Sequence, residues 1–159
     1  MAIHPRRQRG FTMIELLMIV AIILAMCAIA IPNVLRARMA ANESSAVGAL
    51  QTYISAEKTY ASTYPSIGFA TSFASLGPAG GDAVSSSAAG LLDNLLGCGA
   101  AACKKSGYSF TLTAGATTYN VTASPQVPAS TGLRYFFTDQ SGVIRYNAAS
   151  PAGAGDNPI

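Results

Sequence analysis

One glutamate stands out for its position. Glu15 comes one residue before a run of 20 residues, 16–35, with no charged side chain, and four residues into an apolar block that begins at Phe11. A carboxylate inside a bilayer costs on the order of 2.5–3.5 kcal/mol on insertion scales, so an acid placed there is read as functional. It needs a cationic partner, and its own segment supplies none. The other groups with chemistry are few. Cys98 and Cys103 enclose four residues, and in an oxidising compartment that spacing reads as a disulfide worth about 2 kcal/mol of loop closure. A zinc site is the rival, but no histidine follows His4 and there is no second cysteine pair. Cys27 lies in the apolar run and reads as a buried small hydrophobe. Nothing in the sequence brings two of Asp82, Asp93, Asp139 and Asp156 together for acid–base work. Asp156 and Asn157 alone fall well short of the six to eight oxygens that calcium takes, so no metal site is expected. The glycines from 77 to 81 lack the spacing of a phosphate-binding loop.

The elements that must position these groups follow from period and length. At about 1.5 Å per residue, residues 16–35 make roughly 30 Å of helix, the thickness of a hydrocarbon core, with Arg6, Arg7 and Arg9 on the inside-positive flank. One long helix is expected over 11–63, with a kink at Pro32, whose ring clashes with the carbonyl of Ala28. Beyond it Val47, Leu50, Ile54 and Ala61 mark an apolar stripe, with Asn42, Glu43, Gln51 and Lys58 off it. Tyr53, Tyr60 and Tyr64 flank that stripe and read as the edge of a helix-on-sheet core, and Arg36 and Arg38 mark the exit from the membrane or pair with acidic groups of neighbouring molecules.

After Pro65 comes a Gly-, Ala- and Ser-rich connection, 65–106, with one short helix expected at 90–96. Alternation then predicts four antiparallel strands as two hairpins, around 108–113 with 119–123 and around 133–138 with 143–146, before a loose tail at 148–159. The division expected is leader 1–10, apolar half-helix 11–35, amphipathic half-helix 36–64, connection 65–106, sheet 107–147 and tail 148–159. The fold class is α+β, a long N-terminal helix on a four-stranded antiparallel sheet.

A short basic leader ending at Gly10, then Phe11, Thr12, Met13, Ile14, Glu15, Leu16 and Leu17, then about twenty apolar residues, resembles the class III signal of type IV prepilins and type II secretion pseudopilins. The resemblance implies the pilin fold and a membrane-embedded prepilin peptidase/methyltransferase that cuts between Gly10 and Phe11 and N-methylates Phe11. It further implies a single-pass stay in the inner membrane among lipid. An inner-membrane platform of a pilus or secretion machine then assembles the subunits into a helical homo-oligomer, a cell-surface filament or a periplasmic pseudopilus. An α-amino group titrates near 7.7–8.0, so the freed Phe11 amine is largely cationic at neutral pH. It would pair with Glu15 of a neighbouring subunit, fixing register more than stability. A proline at the place of Pro32 is usual in the family; the glycine often found in the turn or two before it is absent from 24–30. Such filaments serve adhesion, twitching movement, DNA uptake or secretion.

Other readings of the N-terminus explain less. A conventional secretory signal cut after Ala30, with Ala28 and Ala30 as the small residues, leaves the run too long and Glu15 near its start. The Arg6-Arg7 pair lacks the surroundings of a twin-arginine signal, and Met26 before Cys27 argues against a lipoprotein. A plain anchor for a periplasmic binding module leaves Glu15 and the Gly10-Phe11 junction as coincidences. Ten basic residues stand against seven acidic, and removal of Arg6, Arg7 and Arg9 would leave seven against seven. A neutral chain gives no charge basis for nucleic acid as a partner. Without the leader it holds no histidine or tryptophan, so no Ser-His-Asp or Cys-His arrangement fits one subunit. The expectation is a structural pilin subunit with no cofactor, not an enzyme; a secretion pseudopilin and an anchored binding module are the alternatives.

Overall fold

The computed structural model describes residues 10–81, 83–115 and 117–159. The expected leader up to Arg9 and the candidate carboxylate Asp82 lie outside the described residues. The chain forms two compact units, Met1–Ala37 and Arg38–Ile159.

The described part of the first unit is helical from Met13 onward. Helix α1, Met13–Thr63, begins here, and Pro32 lies inside it without breaking it. A proline deletes one amide donor and sets a helical φ, which disturbs one turn and leaves the rest. Every large apolar side chain from Phe11 to Leu35 is exposed. The segment is long and apolar enough to cross a membrane, and none of it is buried.

In the second unit the remainder of α1 turns one face inward. Ala46, Ala49, Leu50, Tyr53, Ala56 and Tyr60 are buried at three- and four-residue spacing, and that face packs against an antiparallel sheet. Tyr53 and Tyr60 are therefore buried within the contact, while Tyr64 stays at its edge, partly buried: Tyr53 is fully buried, its ring 4.7 Å from Phe73 and 5.7 Å from Phe110. Fully burying an aromatic ring of this size stabilises by about 2–3 kcal/mol. Glu43, expected off the apolar stripe, also lies on the buried face.

The sheet has six strands, not four, in sequential order: β1 (Ala102–Lys105), β2 (Tyr108–Ala114), β3 (Tyr119–Pro125), β4 (Tyr135–Asp139), β5 (Ile144–Asn147) and β6 (Asn157–Pro158). One cross-strand row on the helix side runs Cys103, Phe110, Ala123, Phe136, Tyr146. The two extra strands lie at the edges. β1 carries Lys104 and Lys105, the charges that blunt an open edge and hide the strand from an apolar count. The turn before β2 is the missed signal. Ser106 and Gly107 both have positive φ, 48° and 74°, in a two-residue hairpin loop. A side chain on Gly107 would also meet Thr131, with its Cβ 2.8 Å from that of Thr131.

Two further expectations change. The short helix of the connection, α2, is at Phe73–Leu76, capped by Ser72, and residues 90–96 form no helix, only bends and a turn at 94–96. The carbonyl of Leu76 accepts from Leu91 and Leu92 N–H, which ties that stretch down without a helix. Nor is the C-terminal stretch loose. β6 pairs with β5, Ala152 is buried, and Asp156 accepts from Asn147 Nδ2 at 3.0 Å and Gly153 N–H at 2.8 Å.

Candidate functional site

The N-terminus of α1 is built by two side chains. Because the helix starts at Met13, Thr12 is its N-cap and Glu15 its third residue. Thr12 N–H donates to Glu15 Oε2 at 2.8 Å, Thr12 Oγ1 donates to the same oxygen at 2.7 Å, and Glu15 N–H donates back to Thr12 Oγ1 at 3.3 Å. This is a capping box, in which the acid also complements the positive end of the helix. The segment therefore supplies Glu15 with hydrogen-bond donors but no cation. The Thr-x-x-Glu pattern ahead of an apolar run carried that signal in the sequence. Gly10 and Phe11, the junction singled out above, are exposed just upstream, with nothing within 4 Å of a Cβ built on Gly10. Pro32 is exposed as well. Cys27, expected to be a buried small hydrophobe, is exposed in the described structure.

The second unit holds its polar residues differently. Glu43 accepts from Leu133 N–H at 2.8 Å, Arg134 N–H at 3.2 Å and Arg134 Nε at 2.7 Å. Asn42 Nδ2 donates to the carbonyl of Thr131, and Tyr108 hydroxyl to that of Arg134. Burial alone would raise the Glu43 carboxyl, but these N–H donors and the guanidinium hold it below the ordinary carboxylate value. The guanidinium itself stacks 5.5 Å from both the Phe136 and Tyr146 rings. It also borders an open cleft of about 360 Å³ lined by Ser44, Val47, Gly48, Gln51 and Ile159.

Cys98 and Cys103 form a disulfide, with Cα atoms 5.7 Å apart, that pins the start of β1. The described aspartates each tie their own turn: Asp93 accepts from Leu96 N–H, Asp139 from Ser141 N–H, and Asp156 as given above. Among the described residues no cluster of three metal-ligating side chains occurs.

A family model described as the prokaryotic N-terminal methylation motif matches residues 5–31. The chain is 40% identical over 55 residues to the type IV wide pilus major component PilA4 of Thermus thermophilus. That match takes in 35% of this chain and 42% of the relative, so the chain spans less than half the length of the curated protein it matches. No solved structure shows significant similarity.

Proposed function

We propose that this chain, a member of the type IV prepilin family by the motif at its N-terminus, is a pilin: a structural subunit that waits in the inner membrane and is then assembled into a pilus filament. One observation carries the reading. A single acid, Glu15, heads a helix whose apolar surface is exposed along its whole first unit, four residues after the Gly10-Phe11 junction.

In this reading prepilin peptidase cuts between Gly10 and Phe11 and the new amine of Phe11 is N-methylated. Assembly by the inner-membrane platform then exchanges lipid around residues 11–35 for the same segments of neighbouring subunits. Lipid tails are as apolar as leucine, so little hydrophobic gain separates the two states, and polar contacts between helices decide the geometry. The capping box presents the Glu15 carboxylate at the helix end, where the Phe11 amine of a neighbour meets it and sets the register. Pro32, which lacks an amide donor, lets one turn of the helix adjust during packing.

The deciding experiment is intact mass and N-terminal sequencing of the protein recovered from a sheared cell-surface fraction. A chain beginning at N-methylated Phe11 in that fraction is the expected result. Processed protein found only in the inner membrane would reassign it as a secretion pseudopilin. An intact Met1, or a cut after Ala30, would overturn the reading in favour of an anchored or secreted module.

A further inference from the structure

The connection that follows α1 begins on a buried carboxylate. Glu57 lies on the inward face of α1 with none of its surface exposed. Its Oε2 accepts Ala70 N–H at 2.9 Å, while its buried Oε1 has no partner. Tyr119 on β3 is 2% exposed, its hydroxyl is likewise unpartnered, and its ring lies 4.8 Å from that of Phe69. Two consecutive residues, Phe69 and Ala70, are thus held against two buried side chains that each keep an unsatisfied polar atom.

Among the described residues no cation forms an ion pair with Glu57. The ion pair found among the described residues is Arg134 with Glu43. Lys58, next along α1, is exposed. The titratable groups that feel Glu57 are Tyr60 on α1, whose hydroxyl donates to the Ser86 carbonyl, and Tyr119 on β3. Tyr64 stands beside Tyr60, and Asp139 on β4 acts on Tyr119. None of these supplies positive charge. Burying an unpaired carboxylate is costly, so the group keeps its proton instead.

We propose that Glu57 is a proton-operated latch: protonated, it holds Phe69 and Ala70 against α1, and ionised, it lets that segment open while the sheet stays folded. Burial pushes the Glu57 carboxyl up to about 7, against the opposing pull of the Ala70 N–H. In the open state, in water, the same group returns to its ordinary value of 4.5. The closed form therefore binds the proton more tightly, and its advantage is complete below 4.5 and lost as pH rises through 7. Across that window opening becomes about tenfold easier per pH unit, roughly a hundredfold or more in all, and then levels off. Acid tightens the loop and neutral pH slackens it. The device belongs to the unit Arg38–Ile159 and does not depend on the filament reading.

The test is amide hydrogen exchange by NMR on the full chain in detergent micelles between pH 4.5 and 8, corrected for the intrinsic exchange rate. Ala70 should open about tenfold more per pH unit up to about 7, while Val121 in β3 stays flat. Glu57→Gln keeps an acceptor for Ala70 and should abolish the slope. A flat Ala70 in the wild type, the same slope in E57Q, or an equal slope at Val121 would each overturn the latch. If E57Q does not fold, the carboxyl carbon shift of Glu57 in the wild-type chain decides: a midpoint near 7 supports it, and one near 4.5 overturns it.

Discussion

One helix serves two regions of this molecule in opposite ways. In the first unit its only side-chain hydrogen bonds among the described residues join Thr12 to Glu15, three positions apart, and its large apolar side chains are exposed. In the second unit the same helix reaches far along the sequence: Asn42 to Thr131, Glu43 to Leu133 and Arg134, Tyr53 to Leu96. In the proposed pilin reading, polar groups satisfied locally and apolar surface left bare belong to a segment that lipid or neighbouring subunits complete. Long-range polar contacts over a buried aromatic core describe one that the chain completes itself. Substitutions in the two regions should therefore fail in different assays.

The largest effect expected is at Glu15. Glu15→Ala should leave membrane insertion and cleavage after Gly10 intact, yet remove the protein from the sheared surface fraction altogether. Its capping box contributes only about 1 kcal/mol to the helix end, and the unfolding midpoint of the second unit should stay within about 0.5 kcal/mol of wild type. Normal filaments from this variant would break the contrast, because the first unit would then need no polar contact beyond its own.

Glu43 tests the other side. Glu43→Ala leaves the Leu133 and Arg134 amides and a guanidinium without their acceptor. The cost should be about 3 kcal/mol by urea titration of the near-ultraviolet tyrosine signal, below the upper range for buried pairs because the Arg134 side chain is 41% exposed. Removing the disulfide by Cys98→Ser with Cys103→Ser comes next, at about 2 kcal/mol for a loop this short. Its local mark should be faster amide exchange in β1, an edge strand with one hydrogen-bonded neighbour, while β3 and β4 keep their protection. Equal loss of protection in all strands would show that the edge is not separately held.

The sequence announced the parts whose signal is long or strictly spaced. The charge-free run 16–35, the central hairpin strands and the cysteine pair all survive in the structure as helix, sheet and bridge, while the strands begin at Ala102, ahead of the change expected at Gly107. What escaped has a common physical form. β1 and β6 are short edge strands whose residues carry charge or proline, so no apolar alternation marks them. Glu43 and Glu57 sit on the buried face at the helical period of Ala46, Leu50, Tyr53 and Tyr60, but an acid is left out when only apolar residues are counted. Their partners, Arg134 and Ala70, lie 91 and 13 residues away, and neither is coupled to them by any local motif.

The smallest effect sharpens the picture of the self-completed region. Tyr53 hydroxyl donates to the Leu96 carbonyl at 2.9 Å in a buried site, while its ring contacts Phe73 and Phe110. Tyr53→Phe removes the bond and keeps the rings, so it should cost about 1 kcal/mol, the net worth of one neutral hydrogen bond plus a stranded carbonyl. Tyr60→Phe, whose hydroxyl meets the Ser86 carbonyl in a half-buried place, should cost less, since water can take over that acceptor. Both are read by denaturant midpoint in the full chain. If Tyr60→Phe costs as much as Tyr53→Phe, the Ser86 turn is sealed from solvent as firmly as the core. If Tyr53→Phe costs nothing, Leu96 finds water, and the helix–sheet contact is held by ring packing rather than by its long-range hydrogen bonds.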